Sequence, residues 1–204
     1  MEHTLRVDIK TSQRNKQLNW FISNYSNIFP DLSLNLYFLN IQPQEVFDFS
    51  TINSKRVKTF TFQSFFKPFT VENIRNLEAF SYIVIPLKLE SENLINTFIS
   101  NVSKVKNKDK ILCLIDSSNF VEFSKIGRAT KFCFDNGIKN FSIAGFTPKS
   151  ELAIKEFLLK NDANIISMPK DIKYQIDEQG NVRNPKNKQI ISTIYKHLGF
   201  LLFP

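Results

Sequence analysis

The chain has 204 residues, 42% of them hydrophobic and 23% charged, which places it among globular chains of one domain, or one domain with an arm, with enough apolar material for a core. A formal net charge of +8 and a pI near 9.4 favour a polyanionic partner, most simply nucleic acid. Two cysteines without a CxxC, and His3 and His197 as the only histidines, argue against a zinc or iron–sulfur centre and suit a reducing compartment.

Residues 1–30 are polar and mixed, with an amphipathic helix pattern over Gln17–Ile28 that carries Leu18, Phe21, Ile22 and Tyr25 on one face. The opening Met1-Glu-His-Thr-Leu-Arg6 matches neither a secretory signal nor an Arg-rich mitochondrial presequence. Leu32–Ile41 and Val57–Phe62 alternate as strands, with Pro43 and Pro68 as punctuation, and Thr70 is placed to open a short helix. From Ser81 to Met168 short apolar runs alternate with amphipathic ones. Tyr82–Leu87, Ile111–Ile115, Phe141–Ala144 and Ile165-Ile166 read as buried strands.

Helices fill the gaps. The first, capped by Ser91 and running to about Val105, carries Leu94, Ile95, Phe98, Ile99 and Val102. The second spans Asn119–Asp135, with a stripe of Phe120, Phe123, Ile126, Thr130 and Phe134 and a stop at Asn136-Gly137. The third opens at Thr147-Pro148 and buries Leu152, Ile154, Phe157 and Leu158. A polar, basic segment follows to Lys188, then a last helix over Gln189–Leu201. The expected fold is therefore α/β, with a parallel sheet of four to five strands and flanking helices in the Rossmann or flavodoxin manner. It divides into an N-terminal extension over 1–70 and an α/β domain over 71–204. No run reaches the roughly 18 apolar residues of a membrane span.

A parallel α/β sheet keeps its site at the strand-to-helix turns. Here they read Leu87-Lys-Leu-Glu-Ser91, Ile115-Asp-Ser-Ser-Asn119 and Ala144-Gly-Phe-Thr-Pro148. None is GxGxxG or GxxxxGK[ST], so the backbone cradle that grips a phosphate is missing. Asp116 is the best candidate for a catalytic carboxylate, against the commoner role of aspartate as a turn or cap residue. Ser117 and Ser118 lack a GxSxG elbow.

The basic residues are more suggestive. Lys55, Arg56, Lys58 and Lys67 interleave with Phe60, Phe62, Phe65, Phe66 and Phe69; Lys104, Lys106, Lys108 and Lys110 follow the first core helix; Lys170, Lys173, Arg183, Lys186 and Lys188 crowd the late polar segment. Lysines in loops neutralise phosphates without reading sequence. The competing roles are a solvated face for the lysines and plain core for the phenylalanines, and core is the stronger reading of the latter.

From Arg75 onward the order and spacing resemble the bacterial and organellar small-subunit ribosomal protein S-two family. The residues that carry the likeness are Arg75-Asn76, Tyr82-Ile-Val-Ile85, Leu89-Glu-Ser-Glu-Asn-Leu94, Lys110-Ile-Leu-Cys-Leu114, Ala153-Ile-Lys-Glu156, Asn164-Ile-Ile166 and Asn187–Tyr195. The family's glycine-glycine-threonine turn is replaced by Ala144-Gly-Phe-Thr147, and there is no room for its helical hairpin. A second resemblance, to the S-eleven family, rests on Asp135–Lys139, Glu151–Lys155 and Gly180–Lys186 and leaves the first hundred residues unexplained.

The S-two likeness implies a non-enzymatic ribosomal protein without a cofactor or small-molecule substrate, whose partners are small-subunit rRNA and neighbouring ribosomal proteins. The RNA contacts would be Lys55, Arg56, Lys58, Lys67, Lys104, Lys106, Lys108, Lys170, Lys173, Arg183, Lys186 and Lys188. With 21 phenylalanines, 21 asparagines and only 5 glycines, the composition follows AT-rich codons. That suggests organelle encoding and the mitochondrial matrix, or otherwise the cytoplasm of an AT-rich organism. The different-class alternative is a small α/β enzyme or cofactor binder with its site near Asp116.

Overall fold

The computed structural model describes residues 3–10, 32–39, 41–49, 55–118, 123–168, 172, 174–177 and 179–193. The expected helix over 17–28 and the C-terminal residues beyond 193 lie outside them. The chain forms two units, one drawn from 1–62, 75–81 and 169–204 and the other from 63–74 and 82–168. The division falls inside a helix, α1 (Val71–Glu78). Thr70 opens that helix, its hydroxyl accepting from Asn73 N at 3.3 Å.

The first unit holds β1 (His3–Ile9), β2 (Leu32–Phe38), β3 (Val57–Phe62), β8 (Tyr174–Ile176), β9 (Asn181–Arg183) and β10 (Ile190–Thr193). In the order β8-β1-β2-β3 neighbouring strands are parallel, and β9 and β10 continue antiparallel beyond β8. Alternation assigns the two faces. On one, Ile9, Leu34, Leu36, Phe38, Val57, Ile176 and Val182 pack with Phe47 and Phe80. The rings of Phe38, Phe47 and Phe80 meet edge-on at 5.1–5.2 Å, the arrangement their quadrupoles favour. The other face carries Arg6, Asp8, Asn35, Tyr37, Lys58 and Phe60, with Asp8 in register with Tyr37 and Tyr37 with Phe60.

The second unit holds β4 (Tyr82–Pro86), α2 (Glu92–Lys104), β5 (Ile111–Asp116), α3 (Phe123–Asp135), β6 (Asn140–Ala144), α4 (Pro148–Leu159) and β7 (Asn164–Ile165). Its strands are all parallel and run in the order β4-β5-β6-β7. Each strand therefore pairs with the next one in the chain. Right-handed crossovers in a constant direction put every helix on one face of the sheet. Helix contacts agree, with Phe98 of α2 5.6 Å from Phe132 of α3 and Phe123 of α3 6.0 Å from Phe157 of α4. The α/β class is the expected one, and the winding is single, without the reversal that makes a switch-point crevice.

The local signals explain the element ends. The Ser91 hydroxyl accepts from Leu94 N at 3.4 Å, and the Thr147 hydroxyl accepts from Ser150 N at 3.3 Å with Pro148 in the first turn. Gly137 takes φ +77° after α3, and Ile138 N donates back to Cys133 O at 2.9 Å. Cys113 and Cys133 are both buried and unbonded, their sulfurs 3.7 Å apart between β5 and α3. The thiol contact and burial push the Cys133 thiol well above its usual range.

One expectation is overturned. The residues Ile190–Thr193, read as the start of a final helix, form strand β10 against β9. Ile190, Ile191 and Thr193 are β-branched and favour a pleated partner over a helix. The turn before them closes through Asn184 N to Gln189 O and Lys188 N to Asn184 O, both 2.9 Å.

Candidate functional site

In a parallel βαβ run the helix C-termini and the strand N-termini share one edge of the sheet, and the strand-to-helix turns share the other. The second unit has a distinct chemistry at each edge.

The amino-terminal edge is basic. Lys104 ends α2, Lys106 and Lys108 follow in the loop to β5, Lys110 closes a short 3-10 turn, and Lys139 precedes β6. Lys104, Lys106 and Lys139 are exposed and Lys108 half-buried. The negative ends of the helix dipoles point to this edge, which favours lysine there. Beneath them the loops are tied by one side chain. Buried Asn140 donates to Asp109 O and accepts from Asn164 Nδ2 at 3.0 Å, while Asn164 N donates to Lys139 O at 2.8 Å. Lys67 joins the same unit from another direction. Asn101, 1% exposed on α2, donates to Lys67 O at 2.6 Å and Phe65 O at 2.9 Å and accepts from Phe69 N at 3.2 Å. That pins the 65–69 segment one turn before Lys104.

The other basic candidates divide between the first unit and the undescribed residues. Lys55 and Lys58 are exposed and Arg56 half-buried at the start of β3. Arg183 is engaged within the β8–β9 hairpin, its Nε donating to Asp177 Oδ2 at 2.7 Å and its Nη1 to Lys188 O at 3.0 Å. Lys188 Nζ donates to buried Gln175 Oε1 at 3.1 Å, and Lys186 is exposed. Lys170 and Lys173 lie outside the described residues, as does His197. The interleaved phenylalanines are core: Phe60, Phe65 and Phe69 are buried, and Phe62 and Phe66 half-buried. The three buried rings offer no face for stacking on a base, and Phe66 is already stacked on Phe98 at 5.9 Å.

At the carboxyl edge the turns do structural work. Asp116 Oδ1 accepts from Ser118 N at 2.8 Å, so the carboxylate closes its own turn. Gly145, at φ +78°, lets the β6 turn meet the β5 turn: a Cβ there would collide with Ser117 Oγ, and Ser117 N donates to Ala144 O at 3.1 Å. The glycine serves the contact between two turns.

Beside them, at the end of β4, is a cleft of about 630 Å³ between the Leu87–Glu90 turn, α2 and α3. Leu87, Ile95, Ala129 and Phe132 form its apolar wall, and Lys88, Lys125 and Arg128 its basic one. Lys125, Arg128, Ala129 and Phe132 recur at one helical stripe of α3. The sequence reading missed these cations, which are exposed and lie beside the apolar stripe of Phe123, Ile126, Thr130 and Phe134. In the first unit it also missed Arg6, whose Nε donates to Asp8 Oδ1 at 3.0 Å and whose guanidinium lies 4.3 Å over the Tyr37 ring. Burial pushes the Tyr37 phenol above its ordinary range, an effect that Arg6 opposes and Asp8 reinforces.

Among the described residues no group of His, Cys, Asp and Glu could hold a metal ion, and no helix is long and apolar enough to cross a membrane.

No protein-family model matches the chain, and no curated protein matches it. Among solved structures it is similar to an uncharacterized protein from Clostridium thermocellum that binds two copies of 5-methyl-5,6,7,8-tetrahydrofolic acid, with a TM-score of 0.44 and 12% identity over 81% of this chain and 66% of that one. It is also similar to triosephosphate isomerase from Bartonella henselae, with a TM-score of 0.39 and 7% identity over 82% of each chain.

Proposed function

We propose that the protein is a structural, RNA-binding component of an organellar small ribosomal subunit, in the mitochondrial matrix, where it contacts rRNA and adjoining ribosomal proteins. The observation that carries this reading is the amino-terminal edge of the second unit. Lys104 at the end of α2, Lys106, Lys108 and Lys110 in the connection to β5, and Lys139 before β6 share this edge, where Asn140 joins Asp109 to Asn164. Fixed lysines on a shared edge suit a phosphate backbone, which presents regularly spaced charge and asks for no base readout. Lys67 extends the surface through the Asn101 anchor. In the first unit, Lys55, Arg56, Lys58, Lys186 and Lys188 supply a second set of cations. The turns at the carboxyl edge fit a scaffold role as well, because Asp116 and Gly145 are both spent on turn geometry.

The test is sedimentation of the tagged protein from organelles of its source. Comigration with the small subunit after a high-salt wash supports the reading. A protein that stays at the top of the gradient at low salt as well as high overturns it.

A further inference from the structure

The lysine edge of the second unit is built from three connections, 104–110 between α2 and β5, 135–139 between α3 and β6, and 160–163 between α4 and β7. They are fastened to one another. The Lys108 stem lies along Gly137, where a Cβ would stand 3.3 Å from Lys108 Cδ. Asn164 N donates to Lys139 O at 2.8 Å, and Asn164 Nδ2 donates to Asn140 Oδ1 at 3.0 Å. The edge is therefore a preformed surface rather than a loop that wraps its partner.

Its exposed lysines stand well apart. Lys104 ends α2, Lys160 caps α4 and Lys139 precedes β6. Helix α3 lies between α2 and α4, in ring contact with both. At about 8–10 Å for each packed pair, the axes that end in Lys104 and Lys160 stand roughly 16–20 Å apart. Carboxylates are interspersed: Asp109 and Asp162 are exposed, and Asp135 is held by Lys131 at 3.2 Å. No single lysine dominates such a surface, so tight binding needs several of them engaged at once by a partner that spans it.

The edge also lacks a stacking platform. None of the three connections contains an aromatic residue or an arginine. Phe134, next to the second of them, packs edge-on against Phe141 at 5.3 Å. Among the described residues of this unit Phe123 is the one exposed ring, and it opens α3, about 18 Å from the end of that helix at 1.5 Å per residue. Single strands are gripped by stacking their bases on rings and guanidinium planes. A duplex keeps its bases inside and offers phosphates and ribose hydroxyls, with the denser charge of two strands. Lysine, a point charge with rotatable donors, suits that target.

We propose that the lysine edge takes base-paired RNA, meeting phosphates of both strands, in preference to single-stranded RNA. The proposal rests on the RNA-binding reading above and narrows it to one class of RNA.

Fluorescence anisotropy of the full chain tests it, with a labelled RNA duplex of roughly 16 base pairs and each of its strands alone. The duplex is expected to bind at least tenfold more tightly than either strand. The triple variant Lys104→Glu, Lys139→Glu, Lys160→Glu should lose that preference, and the triple glutamine variant at the same positions should lower it. Lys149→Glu, an exposed change in the first turn of α4 on the opposite edge, should leave it unchanged. Single strands that bind as tightly as the duplex, or a preference that survives both triple variants, overturn the proposal and leave the RNA-binding reading standing. A chain that binds neither form overturns that reading and the proposal with it.

Discussion

Single buried side chains decide where the basic residues of the second unit sit. Asn101 is the clearest case. It spends both ends of its amide on the backbone of Phe65, Lys67 and Phe69, and its bonds to Phe65 and Phe69 are buried. Replacing it by alanine strands those two buried backbone groups, at about 1 kcal/mol each by the usual cost of an unmet buried hydrogen bond. Asn101→Ala is therefore expected to lower unfolding free energy by about 2 kcal/mol in a denaturant titration, and a loss below about 0.5 kcal/mol would show that water replaces the amide. Nothing in the sequence pattern singles out Asn101, which sits in a helix beside Val102 as one more polar residue. A side chain that ties two distant segments leaves no local periodicity to read. Asp116 and Gly145 were legible as turn residues because their partners lie within the same turn or at the next strand end.

At the scale of elements, the β8–β9 hairpin holds a carboxylate on which its geometry depends. Burial alone would raise the Asp177 carboxyl. Hydrogen bonds from Asn181 N, Arg183 Nε, the Asn181 amide and Gln179 N outweigh that, and the net effect holds it below its ordinary value. A depressed folded value contributes stability that is present above the unfolded value, near pH 3.9, and is lost as pH falls through the folded one. Amide exchange at Gln179 and Asn181 should therefore accelerate as pH is lowered below about 4, beyond the intrinsic trend. Asp177→Asn should start less protected and show no such step; an identical pH profile for both proteins would refute the linkage.

The same region shows where the sequence misleads. Ile190, Ile191 and Ile194 with Leu198 fit a helical stripe, yet Ile190 to Thr193 pair as a strand. Short apolar runs do not separate the two periods, and the neighbouring β9 edge settles the outcome. Strand β1 was equally hidden. Leu5, Val7 and Ile9 alternate there, within a stretch whose composition reads as polar and mixed. In the structure Arg6 and Asp8 lie on one sheet face, ion-paired, with the Arg6 guanidinium over the Tyr37 ring, so the charges belong to the sheet. The helices of the second unit were legible to within a few residues because capping serine and threonine, the Asn-Gly stop and a 3.6-residue stripe agree there.

At the scale of the whole molecule, the second unit is a parallel sheet in which each strand lies beside the next one in the chain, whereas the first unit sets β8 beside β1 and carries β9 and β10 antiparallel beyond it. Single winding leaves the two edges of the second unit free to differ. One edge collects the helix C-termini and lysines; the other collects the turns and the cleft. The lysine edge was legible as a cluster, since four of its members fall within seven residues from Lys104 to Lys110.

The central claim is that this edge meets an RNA backbone, and the salt dependence of binding tests it most directly. Affinity for a small-subunit rRNA transcript would be measured from 50 to 300 mM potassium chloride for the parent protein and for the triple variant Lys104→Gln, Lys106→Gln, Lys108→Gln. Each phosphate contact contributes roughly one unit to the slope of log affinity against log salt. The account predicts a slope shallower by about three in the triple variant, with weaker binding at every low salt concentration and no change in fold by circular dichroism. An unchanged slope and affinity would contradict it.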